Sequence, residues 1–125
     1  MELLADTIYG SFEEAAARNP HKPALVHLGE KYPYAELKEL VLQLAASLHQ
    51  LGIGEDDRVI LNLYNLPQTV IAWLALQRLG GIPILVAPVY TAEDLKYLAI
   101  DSGAETIVCM DTNLRYVVEI LPETP

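Results

Sequence analysis

Val59-Ile-Leu-Asn-Leu63, Ile82-Pro-Ile-Leu-Val-Ala87 and Thr106-Ile-Val-Cys-Met110 are short apolar runs rich in β-type residues, and the stretch that holds them, Asp57 to Met110, decides the fold. Two helix-type runs separate them, about Pro67 to Leu79 and Thr91 to Ser102. Strand, helix, strand, helix, strand is the order of a parallel sheet, because parallel neighbours require a crossover and a helix is the usual one. None of the three runs carries a reactive pair of side chains. What the chain does must therefore follow from what this unit belongs to.

Upstream of the unit, Leu37, Leu40, Val41, Leu44, Ala45 and Leu48 fall at the three-four spacing of one helical stripe, with Glu36, Glu39, Gln43, Ser47 and Gln50 away from it. Gly52 is placed to end that helix as the residue after its cap. Earlier still, Pro23-Ala-Leu-Val-His-Leu28 and Lys31-Tyr32 flank Gly29-Glu30, which predicts a small β-hairpin turning on Gly29. Ser11-Phe-Glu-Glu14 has the pattern of a capping box, so a first helix is expected from Ser11 to about Arg18, stopped by Asn19-Pro20. Downstream, Asn113 to Leu121 suggests a further helix, and Pro122-Glu-Thr-Pro125 a connector. The fold class is thus α/β, a partial parallel sheet with flanking helices, preceded by a helix and a small β-hairpin.

Val70-Ile-Ala-Trp-Leu-Ala-Leu76 offers hardly any polar face, so its helix is expected to be buried on most sides, with Trp73 against the sheet. A helix of that kind calls for a covering layer that 125 residues have little chain left to supply. The expectation is an incomplete domain.

Composition excludes several settings. The 17 acidic against 8 basic residues give a formal charge of −9, which argues against nucleic acid or an anionic membrane as a partner. The lone cysteine, Cys109, cannot form an internal disulfide and sits in an apolar run, as a buried thiol of a reduced compartment would. Cytoplasm is the expected location. Met1-Glu-Leu-Leu-Ala-Asp6 lacks the basic start and apolar centre of a secretion signal, and no apolar run approaches a membrane span.

Each apparent chemical motif has a structural reading that fits it better. Gly52-Ile-Gly54 follows a helix and lacks the third glycine of a dinucleotide loop, and Gly80-Gly81 ends a helix where a phosphate loop would begin one. His21, His27 and His49 have no ligand-like spacing. Paired acids that hold magnesium in receiver domains follow the first parallel strand, whereas Asp56-Asp57 precedes Val59 and reads as a solvated turn. Asn65, Tyr90 and Thr91 lie just beyond the carboxyl ends of strands, where open α/β sheets bind ligands, although Thr91 is more simply a helix cap followed by Glu93 and Asp94.

Taken in order, Ser11-Phe-Glu-Glu-Ala-Ala-Ala-Arg-Asn-Pro20, Tyr34-Ala-Glu-Leu37, Leu51-Gly-Ile53, Asp57-Arg-Val59, Asn65, Leu79-Gly-Gly81, Pro88 and Asp101-Ser-Gly-Ala104 resemble the N-terminal portion of AMP-forming acyl-CoA synthetases, in the adenylate-forming ligase superfamily. The resemblance runs from about Ser11 to Leu121. It implies that residues 1–125 are the N-terminal part of the large domain of such a ligase. It also implies a parent that joins a carboxylic acid to ATP as an acyl-adenylate, with magnesium, and passes the acyl group to coenzyme A. The family's phosphate loop, rich in Ser, Thr and Gly and ending in Pro-Lys, has no counterpart in this sequence, so no catalytic, cofactor-binding or metal residue is assigned and the chain alone is expected to be inactive. Pro33, Tyr64, Leu85 and Ala87 depart from the family's usual residues, and Ile82-Pro83-Ile84 is similar to members acting on fatty or aromatic acids.

The expected partners are the remainder of that ligase and, for the chain alone, a second copy in a dimer formed by an uncovered apolar face or by exchange of the hairpin. Two other readings of the same residues are a standalone flavodoxin-like binding or regulatory module holding a small ligand at Asn65 and Tyr90, and a truncated paralogue that acts only as an interaction partner.

Overall fold

Ile8–Arg18 forms the first helix (α1) of the computed structural model, which describes residues 6–125. Its cap is Thr7, whose hydroxyl accepts from Gly10 N at 2.9 Å. The expected capping box at Ser11 is therefore corrected: Ser11 lies one turn inside and its amide donates to Thr7 O. Starting earlier brings Tyr9 onto the apolar side of the helix with Phe12 and Ala16, and Tyr9 is buried. Glu14 faces Arg18 at 3.8 Å.

Pro23–His27 (β1) and Glu30–Pro33 (β2) pair antiparallel, closing on His27 and Glu30. The turn sits one residue earlier than the sequence suggests, on Leu28 at φ 49° and Gly29 at φ 83°. Two left-handed residues make the turn whose twist matches that of the strands, and this selects Leu28-Gly29 over Gly29-Glu30. Tyr34–Gln50 follows as α2, burying Leu37, Val41, Ala45 and Leu48 while Leu40 and Leu44 flank that stripe. Gly52, at φ 91°, lies just past its end as expected.

Arg58–Asn62 (β3), Pro67–Leu79 (α3), Ile82–Leu85 (β4), Ala92–Ser102 (α4), Thr106–Cys109 (β5) and Leu114–Ile120 (α5) complete the chain, with 3-10 turns at Asp111–Asn113 and Leu121–Glu123 on either side of α5. The three strands form a parallel sheet in the order β4-β3-β5. The chain steps from β3 to one side and then back across β3 to the other. Right-handed crossovers therefore put α3 and α4 on opposite faces. Gly80, at φ 75°, ends α3, and a Cβ on Gly81 would come to 3.3 Å from Asp57 O, so the chain passes close to the start of β3 on its return to β4.

The sheet divides two cores. Val59 and Leu61 of β3 pack with Val41, Ala45, Ala72, Ala75 and Leu76 from α2 and α3, whereas Ile60 packs with Val86, Leu95, Ala99, Val117 and Ile120 on the other face. This is why β3 reads as a continuous apolar run. The cover expected to be missing over α3 is present: α2 lies on it, making the most extensive helix–helix contact of the fold. Trp73 is half-buried at the margin of the larger core rather than enclosed, which corrects its expected placement. Among the described residues no helix is long and apolar enough to cross a membrane.

Candidate ligand crevice at the carboxyl edge of the sheet

The connections after β3 and β4 leave toward opposite faces, and a crevice opens between them at the carboxyl ends of the strands. Pro67, in the first turn of α3, fixes the start of that helix, and the Thr69 hydroxyl donates back to Tyr64 O, tying down the loop after β3. The loop after β4 is held from beneath. Asn62 Nδ2 donates to Val86 O at 3.3 Å and to Ala87 O at 3.4 Å, and Asn113 Nδ2 donates to Pro88 O at 2.9 Å. Both asparagines are buried. An irregular segment under the helices has carbonyls that no ladder satisfies, and buried amides supply the missing donors.

Neither asparagine is recognisable from the sequence alone as a holder of this loop. Asn62 did leave a signal, as the one polar residue in Val59-Ile-Leu-Asn-Leu63; Asn113 was legible only as the start of a helix.

The crevice has about 320 Å³ and is lined by Leu63, Tyr64, Asn65, Thr69, Leu85 and Val89 among others. A second cleft of about 290 Å³ lies on the outer side of β4, with Ile84, Tyr90, Tyr97 and Leu98 in its wall. Asn65 lines the first and Tyr90 the second. The two residues are not brought into one site, which corrects the expectation of a ligand held between them. Thr91 is fully engaged as the cap of α4: its hydroxyl accepts from Asp94 N at 3.2 Å, and Asp94 Oδ2 accepts from Thr91 N at 3.2 Å, with Glu93 in the same first turn.

At the amino edge of the sheet an opening of about 420 Å³ is bordered by Asp56, Asp57, Arg58 and Glu105. Asp57 Oδ2 accepts from Gly54 N at 2.7 Å, closing the turn ahead of β3, and Arg58 Nη1 donates to Ser102 O at 2.6 Å. Asp56-Asp57 is thus an exposed turn at the end of the sheet opposite the crevice. His21 precedes β1, His27 ends β1 and His49 lies in the last turn of α2. Among the described residues no three His, Cys, Asp or Glu side chains gather to hold a metal ion. Burial pushes the Cys109 thiol above its ordinary pKa, so it stays protonated.

A triphosphate requires cations or converging backbone amides. No Lys or Arg lines either carboxyl-edge cleft, and at the amino edge one arginine stands against three acids. These openings do not fit ATP, and no step through it follows from the residues present.

The profile of the AMP-binding enzyme family matches residues 12–124. The "Long-chain-fatty-acid--CoA ligase" of Escherichia coli O157:H7 is 35% identical over 114 residues, covering 90% of this chain and 20% of that protein. The "Salicyl-AMP ligase / salicyl-S-ArCP synthetase" of Mycobacterium tuberculosis is 38% identical over 103 residues, covering 78% of this chain and 18% of the relative. Among solved structures, a long-chain-fatty-acid-CoA ligase (FadD1) from Archaeoglobus fulgidus superimposes with a TM-score of 0.89 at 20% identity, over 98% of this chain and 27% of that one. The last likeness is one of fold. The chain spans about a fifth of the length of the relatives it matches.

Proposed function

Because the chain belongs to the AMP-binding enzyme family, we propose that it is the N-terminal part of the large domain of an ATP-dependent acyl-CoA ligase. The observation that carries this reading is the match over residues 12–124 together with relatives at 35% identity across nine-tenths of the chain. The parent activates a fatty or aromatic carboxylic acid: the carboxylate displaces pyrophosphate from ATP to give the acyl-adenylate, and a coenzyme A thiol then displaces AMP. Magnesium accompanies the first half-reaction. The relatives' names, one a long-chain fatty acid ligase and one a salicyl-AMP ligase, support both acid classes. The reduced cytoplasm is the setting in which a free Cys109 persists.

In this reading the 125 residues are a scaffold. They set the central strand of a parallel sheet and hold the loops at its carboxyl edge, while the groups that bind phosphate and stabilise the transition state belong to later sequence. The rest of the ligase is the partner, and a second copy is the partner of the 125-residue chain alone. The flavodoxin-like module finds no support: the chain belongs to the AMP-binding enzyme family, and Asn65 and Tyr90 line separate clefts.

Extending the reading frame past Pro125 tests the proposal, with a Gly-rich Ser/Thr loop ending in lysine as the expected find. The extended protein should release pyrophosphate only when a fatty or aromatic acid is added, and the 125-residue chain should match the enzyme-free blank. Acid-dependent turnover by the short chain, or the absence of the loop, overturns it.

A further inference from the structure

The ladder of β4 ends at Leu85, yet the backbone beyond it keeps the alternation of a strand: Val86 and Pro88 are buried, while Leu85, Ala87 and Val89 are exposed. Val86 N still donates to β3, at Leu61 O and 3.0 Å. From there two side chains take the place of a neighbouring strand. Asn62 serves the carbonyls of Val86 and Ala87, and Asn113 serves that of Pro88, so three successive carbonyls are held. Among the described residues, the buried side chains that carry an amide or a charge are Asn62 and Asn113, and both are spent on this one segment.

Side chains alternate between the faces of a sheet. Asn62 therefore shares the face of Ile60, which α4 and α5 cover, and Asn113 stands at the start of α5. Leu61 looks the other way, toward α2 and α3, and forms part of the crevice lining. The segment is thus a partition, pinned from the α5 side and presenting Leu85, Ala87 and Val89 to the crevice. A buried asparagine costs desolvation that an apolar residue would not, and Ile60 shows what packing alone uses on this face.

We propose that Asn62 and Asn113 are positioning residues for the reaction of the parent: they hold residues 85–89 as a fixed wall against which the uncharged, apolar part of a substrate lies. This rests on the ligase reading above. Crevices at the carboxyl edge of open α/β sheets are where ligands bind, and this one has no Lys or Arg in its lining to meet phosphate. Its apolar wall suits the hydrocarbon of the acid or the arm that carries the coenzyme A thiol. Without the pins the carbonyls would be unpaired and the loop would open locally. A wall fixed in advance spares the substrate the cost of ordering it.

Nitrogen relaxation by NMR tests the wall on the chain as it stands. The Ala87 and Val89 amides should show order parameters of about 0.85, as rigid backbone does, falling toward about 0.6 in Asn62→Ala and in Asn113→Ala. Values near the lower figure in the unaltered chain, or no fall in either variant, overturn the fixed wall. In the extended ligase each variant should raise the KM for the acid or for coenzyme A by roughly tenfold and leave the KM for ATP unchanged. A shift for the acid assigns the wall to its hydrocarbon, and a shift for coenzyme A assigns it to the thiol's arm. Lower kcat with all three KM values unchanged is what a smaller folded fraction gives, and it overturns the positioning role, as does activity equal to the parent's. Should Asn62→Ala not fold, Asn113→Ala removes one bond rather than two and carries the same expectation. An extended protein that releases no pyrophosphate with any fatty or aromatic acid overturns the ligase reading and this role together.

Discussion

Leu28 is 94% exposed at φ 49°, so this bulky side chain holds a left-handed backbone without packing in return. That conformation costs an L-residue roughly 1–2 kcal/mol, less for asparagine, and Asn-Gly is the preferred pair for such a turn. Leu28→Asn should stabilise the chain by about 0.5–1 kcal/mol, read as a higher urea midpoint at unchanged slope. A lower midpoint would mean that Leu28 makes contacts its exposure does not reveal. Asn62 is the opposite case, a residue whose loss should be felt. Asn62→Ala strips the donor from Val86 O and Ala87 O and should cost about 1–3 kcal/mol, and Asn113→Ala should behave alike at Pro88 O. Because both amides hold one loop, the double variant should depart from additivity by at least about 0.5 kcal/mol. Strict additivity would show that the loop does not need both. Asn62 stood out in the sequence as a polar residue in an apolar run, but its acceptors lie 24 and 25 residues away. Periodicity reports that a position is buried and leaves its partner unnamed.

At the scale of elements, the apolar periods locate every helix and strand of the parallel unit, since burial on a sheet face imposes the pattern directly. They miss how the layers stack. The stripe Leu37, Val41, Ala45 and Leu48 was legible as buried, yet nothing in it says that it lies over α3 rather than on strands. That omission is why α3 looked uncovered and Trp73 looked enclosed. Helix starts fail for a related reason: Thr7 and Ser11 are both competent caps, and the burial of Tyr9 favours the earlier one. Trp73, half-buried at the margin of the larger core, should therefore be quenched by iodide to an extent between free indole and an enclosed one. Trp73→Ala should cost about 2 kcal/mol, below the roughly 3–5 kcal/mol of a fully packed tryptophan. Complete shielding from iodide, or a loss at the upper end of that range, would restore the enclosed placement.

On the scale of the whole molecule, one strand belongs to both cores. Val59 and Leu61 are at 0% and 1% exposure on the side of α2 and α3, and Ile60 is at 0% on the side of α4 and α5. Neither core can open its share of β3 without uncovering apolar surface in the other, and β3 also pairs with both β4 and β5. Two cores joined in this way should unfold together, whereas cores that shared only a linker would come apart in sequence. Each side carries a natural probe. Trp73 borders the first core and Cys109 the second. In a urea titration at one protein concentration, tryptophan emission and the accessibility of the Cys109 thiol to a labelling reagent should give superimposable transitions. Ile60→Ala, made on one side only, should shift both midpoints down equally, by an amount corresponding to about 2–5 kcal/mol. If the thiol becomes accessible well before tryptophan emission changes, the α4 and α5 side is a separate unit, and β3 does not couple the two faces.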